Sequence, residues 1–332
     1  MYLTPKFINQ IILLKLVKNL TYVTVAIISA LTLISLLGRY PYLELSTHFR
    51  LQYAWISLIC IVVLSFLRSW KLVLPVTLCA FFNLAQIIPY YYAPPRQIQD
   101  LPSNTLKIML ANVEGSNKNY PALIQTVKSV NPDLVVLQEI TERWWANIRE
   151  FTSDYPYFKA VPRPGGSGLA IFSRYPIELA EVLFFDDSTH PALFCKINLE
   201  GTLLTVLAIH PPTPMKPIKF AYRNGQLAQA ASIMKSAAEP KLLIGDFNTT
   251  MWSPYFEALV NDSGLRDARL GKGIYPSWHA RLPPFIRIPI DHCLVSEKIE
   301  VNSIETGNNS GSDHRPLILN LRIEKQNLQA NQ

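Results

Sequence analysis

The stretch Leu242-Leu243-Ile244-Gly245-Asp246-Phe247-Asn248 joins a continuous apolar run, typical of a buried strand, to a carboxylate and an amide. Three other motifs likewise place polar side chains where a hydrophobic strand is expected to end: Leu110-Ala111-Asn112, Leu137-Gln138-Glu139 and Gly311-Ser312-Asp313-His314. Chemistry on a phosphate ester with a hard divalent cation uses acidic oxygens for the metal, an amide for orientation and an imidazole for charge. The four motifs together therefore predict an enzyme.

Strand-like and helix-like patterns alternate after residue 105. Two hairpin-rich halves covered by helices predict an α/β sandwich with mixed sheets rather than a parallel Rossmann sheet. The chain has neither a Gly-x-Gly-x-x-Gly motif nor a P-loop, so nothing favours a nucleotide cofactor. We expect strands at 106–112, 133–138, 168–173, 192–199, 203–210, 241–245, 290–295 and 317–323, and helices at 120–130, after Thr141, at 217–238 and after Ser253.

Three uncharged apolar runs, at about residues 19–38, 51–67 and 72–92, dominate the first 95 residues. Each is long enough to cross a bilayer as a helix. Three such runs in succession, without a small-residue cleavage site after the first, disfavour both buried core helices and a signal peptide. We therefore expect a membrane domain at 1–95, a stiff Pro-containing linker at 96–105, a catalytic domain at 106–324 and a polar tail at 325–332.

The basic charge of the chain lies mostly in the membrane domain. Residues 1–95 hold seven basic side chains and the single acidic Glu44, a net of +6 out of the formal +7 of the whole chain. Residues 96–332 hold 24 basic and 23 acidic side chains, a net of +1. Because nucleic-acid binding would require the basic excess on the catalytic domain, the high pI is only weak evidence for it.

Loop charges predict the orientation in the membrane. Five basic residues would flank the spans on one side and two on the other, and the richer side stays in the cytoplasm. The third helix then leads outward, so we expect an integral protein of the cytoplasmic membrane with an extracytoplasmic catalytic domain. The five residues are Lys6, Lys15, Lys18, Arg68 and Lys71, and the two are Arg39 and Arg50.

Cysteine usage leaves the compartment open. Cys60 and Cys79 lie in the apolar runs, and Cys195 and Cys293 in strand-like segments of the catalytic domain. The latter two could pair in an oxidising space, although two buried thiols are the simpler expectation. The spacing of the cysteines does not match a zinc site.

The motifs of the catalytic domain closely resemble those of the endonuclease/exonuclease/phosphatase superfamily, the metal-dependent phosphoesterases related to DNase I. The resemblance extends over residues 106–323 and implies a DNase I-like four-layer α/β sandwich. Many relatives have an aromatic residue, Ser or Thr before the first asparagine, where this chain has Ala111, which we interpret as a packing change. The motifs are Ala111-Asn112, Gln138-Glu139, Gly168 to Arg174, Ile209-His210-Pro211, Gly245 to Asn248, Ile290-Asp291-His292 and Ser312-Asp313-His314.

The resemblance implies a metal site of Glu139, Asn112 and Asp313, holding Mg²⁺ or, as an alternative, Mn²⁺. The residues alone agree, because a carboxylate directly after a buried strand is costly unless it is paired. Glu139 could instead be a helix N-terminal charge, and Asn112 a turn residue at a strand end. As a site residue, Asn112 would orient Glu139 or a water.

The resemblance also assigns the catalytic residues. Asp246 would position or deprotonate the attacking water, and Asn248 would donate to phosphate oxygens, unless the two merely form an Asx turn. Asp291 and His314 would form a carboxylate–imidazole pair that stabilises charge on the phosphoryl group. His210 would contact phosphate.

For several charged residues, the sequence does not decide between a structural and a functional role. His292 alternates with Asp291 along its strand, so it faces the other way and is expected to be structural. Arg174 and Arg287, with Arg163 and Arg281, are candidates for substrate phosphate contacts, although most surface arginines only keep a protein soluble.

We interpret the chain as a membrane-anchored, Mg²⁺-dependent phosphohydrolase or phosphodiesterase. Anchored relatives of the glycopeptide-resistance type are thought to act on isoprenoid lipid phosphates, so the resemblance implies a lipid phosphate or pyrophosphate in the bilayer as substrate. One alternative is an extracytoplasmic DNA endonuclease or exonuclease with the same residues, which makes nucleic acid a less favoured partner. The other is a non-catalytic sensor of lipid headgroups, which the intact motifs disfavour. No protein partner is indicated.

Overall fold

The computed structural model describes residues 5–94, 102–185 and 189–325. The chain divides into two compact units, Met1–Pro89 and Tyr90–Gln332. Much of the expected linker at 96–105 and nearly all of the polar tail at 325–332 lie outside the described residues. The first strand of the second unit begins at Ser103, three residues before the strand expected from residue 106.

The first unit consists of helices that are long and apolar enough to span a membrane. The three candidate spans are Asn9–Leu37, Leu43–Phe66 and Trp70–Tyr92. The first helix starts well before the expected residue 19, because Lys15 and Lys18 are good helix formers and do not interrupt it. Its helices are α1 (Pro5–Ile34), α2 (Arg50–Phe66) and α3 (Trp70–Ile87), followed at the unit boundary by α4 (Pro89–Tyr92); the 3₁₀ segment Leu43–Phe49 precedes α2.

The second unit contains two mixed six-stranded sheets. Each sheet has one parallel pair of strands and is otherwise antiparallel. The strands are β1 (Ser103–Asn112), β2 (Leu134–Gln138), β3 (Tyr157–Val161), β4 (Leu169–Ser173), β5 (Ile177–Phe184), β6 (Pro191–Leu199), β7 (Thr202–Ile209), β8 (Lys241–Asp246), β9 (Arg266–Asp267), β10 (Asp291–Val295), β11 (Ile299–Thr306) and β12 (Leu317–Glu324). The first sheet has the order β11-β12-β1-β2-β4-β3, and the second has the order β5-β6-β7-β8-β10-β9.

Side chains on a strand point alternately to the two faces of its sheet, so a single strand contributes to two separate hydrophobic cores. On β1, Ile108 and Leu110 belong to the core that contains residues of both sheets, whereas Met109 and Ala111 belong to the core formed with α5 (Tyr120–Val130) and α6 (Glu142–Ile148). On the other sheet, α7 (Pro217–Ser236) packs against β7 and β8 and against α8 (Pro254–Ser263). The α/β sandwich is therefore confirmed.

Each strand and helix expected in the catalytic domain is present, with small shifts at its ends. Two helix starts have the predicted caps: Thr141 Oγ1 accepts a hydrogen bond from Trp144 N at 3.2 Å, and Ser253 Oγ from Tyr255 N at 3.2 Å. The prediction missed strands β3, β5, β9 and β11. All four cysteines are free thiols, and Cys195 and Cys293 are buried.

Gln138 links the two sheets through its side chain. At the end of β2, its Nε2 donates to the carbonyl of Ile209 on β7 at 2.7 Å, and its Oε1 accepts from Asp246 N on β8 at 2.8 Å. A Cβ at Gly245 would lie 1.9 Å from the Ile209 carbonyl oxygen and 2.8 Å from Gln138 Nε2. The absence of a side chain at residue 245 therefore allows the two sheets to approach at this point.

We expect Gln138→Met to destabilise the protein strongly. The substitution keeps the length of the side chain but leaves two buried backbone groups without a partner, which costs about 2–5 kcal/mol. The melting temperature should fall by roughly 5–15 °C in thermal unfolding of the detergent-solubilised chain. Gln125→Met, on the exposed side of α5, is the matched control and should leave it nearly unchanged; equal stability of the two variants would contradict the role of Gln138.

Candidate active site

The polar side chains predicted from the four motifs gather at one edge of the paired sheets. Asn112 ends β1 and Glu139 follows its parallel neighbour β2, so both lie at the carboxyl ends of these strands. Asp246 ends β8 and is the register partner of Asp291, the first residue of the antiparallel β10. Each sheet therefore contributes to the same site.

Asn112 connects the groups from the two sheets. Its Nδ2 donates to Glu139 Oε1 at 3.0 Å and to Asp246 Oδ2 at 3.2 Å. Its Oδ1 accepts from Glu114 N at 3.0 Å, which fixes the orientation of the amide. Ser312 Oγ donates to the backbone carbonyl of Asn112 at 2.8 Å. Asn112 therefore contacts both Glu139 and Asp246.

Asp246 lies at the centre of the cluster and is almost completely buried. Its Oδ1 accepts from Asn248 N at 2.8 Å. Its Oδ2 lies 3.6 Å from His210 Nε2 and 3.5 Å from His314 Nε2. One carboxylate thus faces two imidazoles and one amide.

Asp291 and His314 form the expected carboxylate–imidazole pair, with His314 Nδ1 and Asp291 Oδ2 2.8 Å apart. Burial alone would lower the pKa of His314, but the carboxylates of Asp291 and Asp246 outweigh burial and raise the pKa to about 10. Burial would conversely raise the pKa of Asp291, yet the neighbouring His314 holds it below its ordinary value. The pair is therefore imidazolium and carboxylate at neutral pH.

His210 faces Asp246 from the end of β7 and lies in a T-shaped contact with the ring of His190, at 6.2 Å between centroids. Burial opposes protonation of His210, but its contact with Asp246 raises the pKa above the usual value. Burial, followed by the charge of His210, lowers the pKa of His190 to about 4. The two histidines therefore favour opposite protonation states.

Glu139 and Asn248 adopt left-handed backbone conformations, with φ of 63° and 50°. Such values are uncommon for residues other than glycine. Gly115 N donates to Glu139 Oε2 at 2.9 Å, and a Cβ at Gly166 would lie 3.0 Å from the same oxygen. Glu139 opens on a cleft of about 740 Å³ that Gly115 and Gly166 help to line.

Two groups of residues are candidates for holding a divalent cation. Ligand atoms of Asp246, Asp291 and His314 lie within 4.8 Å of one another. However, His314 Nδ1 is already bonded to Asp291 Oδ2, which leaves only Nε2 of this ring for a metal. The half-buried Glu139, with the second lone pair of Asn112 Oδ1, offers the oxygen donors that hard cations prefer, so these residues fit a cation better.

Asp313 lies in the loop beside this edge. Its Oδ2 accepts from Trp278 Nε1 at 3.0 Å, and its backbone N donates to Glu114 Oε2 at 3.0 Å. Arg281 donates to the same Glu114 carboxylate and to the Gly311 carbonyl. Asp313 is thereby fixed near Asn112 through Glu114, and these contacts are with protein groups rather than with the Glu139 carboxylate.

The structure does not bring Arg174 to the site. Ser173, the residue before Arg174, pairs with Leu134 in the antiparallel register of β4 and β2. Arg174 therefore lies at the start of β2, whereas Glu139 follows the other end of that strand. Its guanidinium pairs with Asp133 at 3.8 Å and lies 5.2 Å from the ring centroid of Tyr155. The expectation of a substrate contact at Arg174 is therefore corrected to a structural ion pair.

The guanidinium of Arg287 also contacts protein groups. It donates to the carbonyls of Leu282 at 2.8 Å and Ala280 at 3.0 Å, and so holds its own loop. His292 packs between Phe247 and Phe256, and its Nε2 lies 2.8 Å from the carbonyl oxygen of Thr249. Both residues therefore contact protein groups. For Arg287, this differs from the substrate contact that the sequence analysis expected.

Two fully buried arginines beneath the site were not singled out from the sequence. Arg223, on α7, donates to the carbonyl of Asn248 at 3.0 Å. Arg269 donates to the carbonyls of Ile274 and Asp291, and its Nη1 lies 3.1 Å from His292 Nδ1. Each supports a backbone that presents a catalytic candidate. Nothing in their local sequence marks them, because the carbonyls of Asn248 and Asp291 lie more than twenty residues away along the chain.

The model of the Endonuclease/Exonuclease/phosphatase family matches residues 109–314, and the chain belongs to this family. Members of this family are metal-dependent phosphoric ester hydrolases, so the chain is an enzyme of this class. No curated protein gives a significant sequence match.

Several solved structures share the fold of the second unit. An endonuclease/exonuclease/phosphatase from Beutenbergia cavernae aligns at 18% identity with a TM-score of 0.56, covering 66% of this chain and 72% of that one. A humanized D. rerio TDP2 aligns at 17% identity with a TM-score of 0.55, covering 65% and 98%. A functionally unknown protein from Enterococcus faecalis aligns at 19% identity with a TM-score of 0.56, covering 66% and 100%. At these identities the likeness concerns the fold alone.

We expect Asp291→Asn to lower kcat by about 10²–10⁴-fold, the usual range when a proton-handling group is disabled. The amide preserves the shape of the side chain but removes the charge that stabilises the His314 imidazolium. Activity assays with purified protein and a chromogenic phosphodiester measure the effect. Asp262→Asn, an exposed position on α8, controls for the loss of one carboxylate; a kcat for Asp291→Asn close to that of this control would show that the pair is not needed.

Proposed function

We propose that this enzyme is a membrane-anchored phosphohydrolase that uses Mg²⁺, or Mn²⁺ in its place, to cleave a lipid phosphate or pyrophosphate. The observation that supports the proposal is the joining of three apolar helices, each long enough to span a membrane, to a phosphoesterase domain. The near-neutral charge of residues 96–332 supports a substrate other than a long polyanion.

In this proposal, Glu139, Asn112 and Asp313 hold the cation, which when bound supplies Lewis-acid polarisation of a phosphate oxygen. Asp246 orients the attacking water and accepts its proton, since its carboxylate is buried and held by Asn112 and Asn248. The hydrogen bonds from Asn112 and Asn248 fix the Asp246 carboxylate before the substrate binds.

Two cationic or polar donors then face the transferring phosphoryl group. His314, kept protonated by Asp291, stabilises the negative charge that develops there. Asn248 Nδ2 donates one hydrogen to the carbonyl of Pro211 at 3.0 Å, and its second hydrogen is directed to a phosphate oxygen. His210 is a further phosphate contact in the proposal.

Tethering favours a substrate that shares the membrane. An enzyme held at a bilayer by a short connection meets lipids in the same plane at a high effective concentration, whereas a soluble polymer gains little from the tether. The lipid bilayer itself is then the main partner of the first unit.

A DNA endonuclease or exonuclease is the second candidate. It is favoured by the fold shared with D. rerio TDP2, whose structure in complex with a single-strand DNA product aligns at 19% identity with a TM-score of 0.54, covering 66% of this chain and 99% of that one. The charge distribution weighs against it. The non-catalytic sensor is disfavoured because the polar residues predicted from the motifs gather at one site.

A substrate panel tests the proposal. Purified full-length chain with Mg²⁺ should hydrolyse detergent-dispersed prenyl diphosphate or phosphatidic acid faster than plasmid DNA. EDTA should abolish the activity, and Mg²⁺ or Mn²⁺ should restore it. Because Glu139 supplies charge to the cation, Glu139→Gln should lower turnover at least ~100-fold, while Glu257→Gln, at an exposed position on α8, should retain it.

Efficient degradation of plasmid DNA, with every lipid phosphate left intact, would replace the lipid proposal with the nuclease. Full activity of the wild type in EDTA would contradict the metal-dependent mechanism itself. The two failures are distinguishable, because the first concerns the substrate and the second the chemistry.

We further propose that the catalytic domain lies on the outer side of the cytoplasmic membrane, on the basis of the basic residues flanking the spans. A C-terminal alkaline phosphatase fusion should therefore be active in a bacterial host, and a C-terminal green fluorescent protein fusion should be dark. The opposite pattern would place the domain in the cytoplasm. Exchange of Lys15, Lys18, Arg68 and Lys71 for glutamine is the control, and should weaken the preference.

A further inference from the structure

Two exposed segments of the second unit combine apolar with basic side chains. Residues 215–219 read Met-Lys-Pro-Ile-Lys and residues 281–287 read Arg-Leu-Pro-Pro-Phe-Ile-Arg, and we call them the first and second rim segments. Phe285 is 70% exposed, Met215 61% and Ile218 55%. Large apolar side chains that are exposed next to one another mark a surface that contacts another molecule or a membrane.

Both rim segments border the candidate active site at one edge of the second sheet. There β7 ends and β10 begins beside the end of β8, which carries Asp246. The first segment follows β7 after Pro211, whose carbonyl accepts from Asn248 Nδ2 at 3.0 Å. The second segment follows Ala280, whose N donates to the carbonyl of Asp313 at 2.6 Å. A surface that contacts the rim segments therefore lies next to the catalytic candidates.

Hydrogen bonds and prolines hold the backbone of the rim segments. In the first segment, Met215 N donates to the carbonyl of Thr213 at 2.9 Å, and Pro217 is the first residue of α7. In the second, Pro284 opens a 3₁₀ turn, and the Arg287 guanidinium donates to two carbonyls of its own loop. Because proline also fixes φ, the apolar side chains are presented with little further ordering on binding.

The charge of the rim segments is positive. They hold four basic side chains and no acidic one, and the surrounding stretches 211–220 and 268–290 also contain no Asp or Glu. Arg281 is paired with Glu114, while Lys216 and Lys219 are exposed. By contrast, residues 96–332 as a whole are nearly neutral. Positive charge is therefore concentrated where apolar side chains are exposed.

Exposed apolar side chains flanked by lysine and arginine are complementary to an anionic bilayer surface. Aromatic and aliphatic groups enter the boundary between headgroups and acyl chains, and the cations contact lipid phosphates. A bilayer is favoured over a protein partner because the enzyme, in the proposed function, is anchored in one by the helices of its first unit.

We propose that the rim segments bind the surface of a bilayer that contains anionic lipids. Met215, Ile218 and Phe285 enter the boundary below the headgroups, and Lys216 and Lys219 contact lipid phosphates. For its substrate the inference rests on the proposed function: a lipid phosphate reaches the site that the segments border without leaving the bilayer. Contact between the rim segments and the bilayer does not require that substrate and is measured separately.

Photocrosslinking tests the contact in the full-length chain, reconstituted in nanodiscs of phosphatidylcholine and phosphatidylglycerol. The variant Phe285→benzoylphenylalanine should crosslink to lipid, and it should do so less when phosphatidylglycerol is omitted. The same substitution at Tyr157 is the matched control and should give little lipid product. Tyr157 is 40% exposed and pairs with Ser173, which pairs with Leu134 at the end of β2 opposite Glu139. Equal lipid crosslinking at the two positions, or a protein product in place of lipid at residue 285, would overturn the inference.

Kinetics provide a second measurement. Met215→Ser and Phe285→Ser should each lower kcat/KM for a lipid phosphate in vesicles by about tenfold, the effect of removing one large apolar side chain from a buried contact. Hydrolysis of a soluble chromogenic phosphodiester should stay unchanged, and Tyr157→Ser should affect neither substrate. Equal losses with both substrates would show that the segments support the site rather than bind a membrane, and would contradict the proposal.

The two measurements separate this inference from the proposed function. Lipid crosslinking at residue 285 without hydrolysis of any lipid phosphate would support the membrane contact while rejecting the proposed substrate. Hydrolysis of lipid phosphates that is unaffected in Met215→Ser and Phe285→Ser, with no lipid crosslinking at residue 285, would keep the proposed function and reject the rim segments as a membrane surface.

Discussion

The side-chain amide of Gln138 is the interaction on which the site depends. It is the direct link between the end of β2 in one sheet and β7 and β8 in the other. Because its acceptor atom holds the backbone of Asp246, the spacing of the sheets also sets the distance between Asp246 and Asn112. Gly245 is also required, because a side chain at this position would clash with the carbonyl of Ile209 and keep the sheets apart. The amides of Gln138 and Asn112 thus set the geometry in which residues from separate sheets share a reaction.

Negative charge within the site is balanced locally. Asp246 and Asp291 are almost completely buried, and a buried carboxylate is costly unless it is paired. His314 lies between the two and balances part of this charge, and the amide of Asn112 connects Asp246 with Glu139. The remaining charge of Glu139 opens on the cleft, where a divalent cation fits the family to which the chain belongs. Arg223 and Arg269 support the same arrangement through the backbone carbonyls of Asn248 and Asp291.

The sequence was sufficient for much of the fold because the central strands are continuous apolar runs that end in distinctive polar residues. Strands β3, β5 and β11 were missed because their side chains are partly exposed, as on β5, where no residue is buried. The gathering of Asn112, Glu139 and Asp246 followed from strand ends meeting at one edge. The location of Arg174 did not follow, since it depends on the register of β2 with β4. Arg223 and Arg269 could not be found, because a buried arginine that serves a distant carbonyl has no local pattern.

The left-handed backbone at Glu139 and Asn248 has a consequence for how this enzyme can change over evolutionary time. A non-glycine residue in that conformation costs of order 1–3 kcal/mol, and asparagine tolerates it better than glutamate does. Glycine at either position would relieve the strain while removing the carboxylate or the amide from the site. Selection for thermal stability and selection for turnover therefore act in opposite directions at these two positions, and a more stable descendant that has glycine there would be expected to have lost catalysis while keeping its fold.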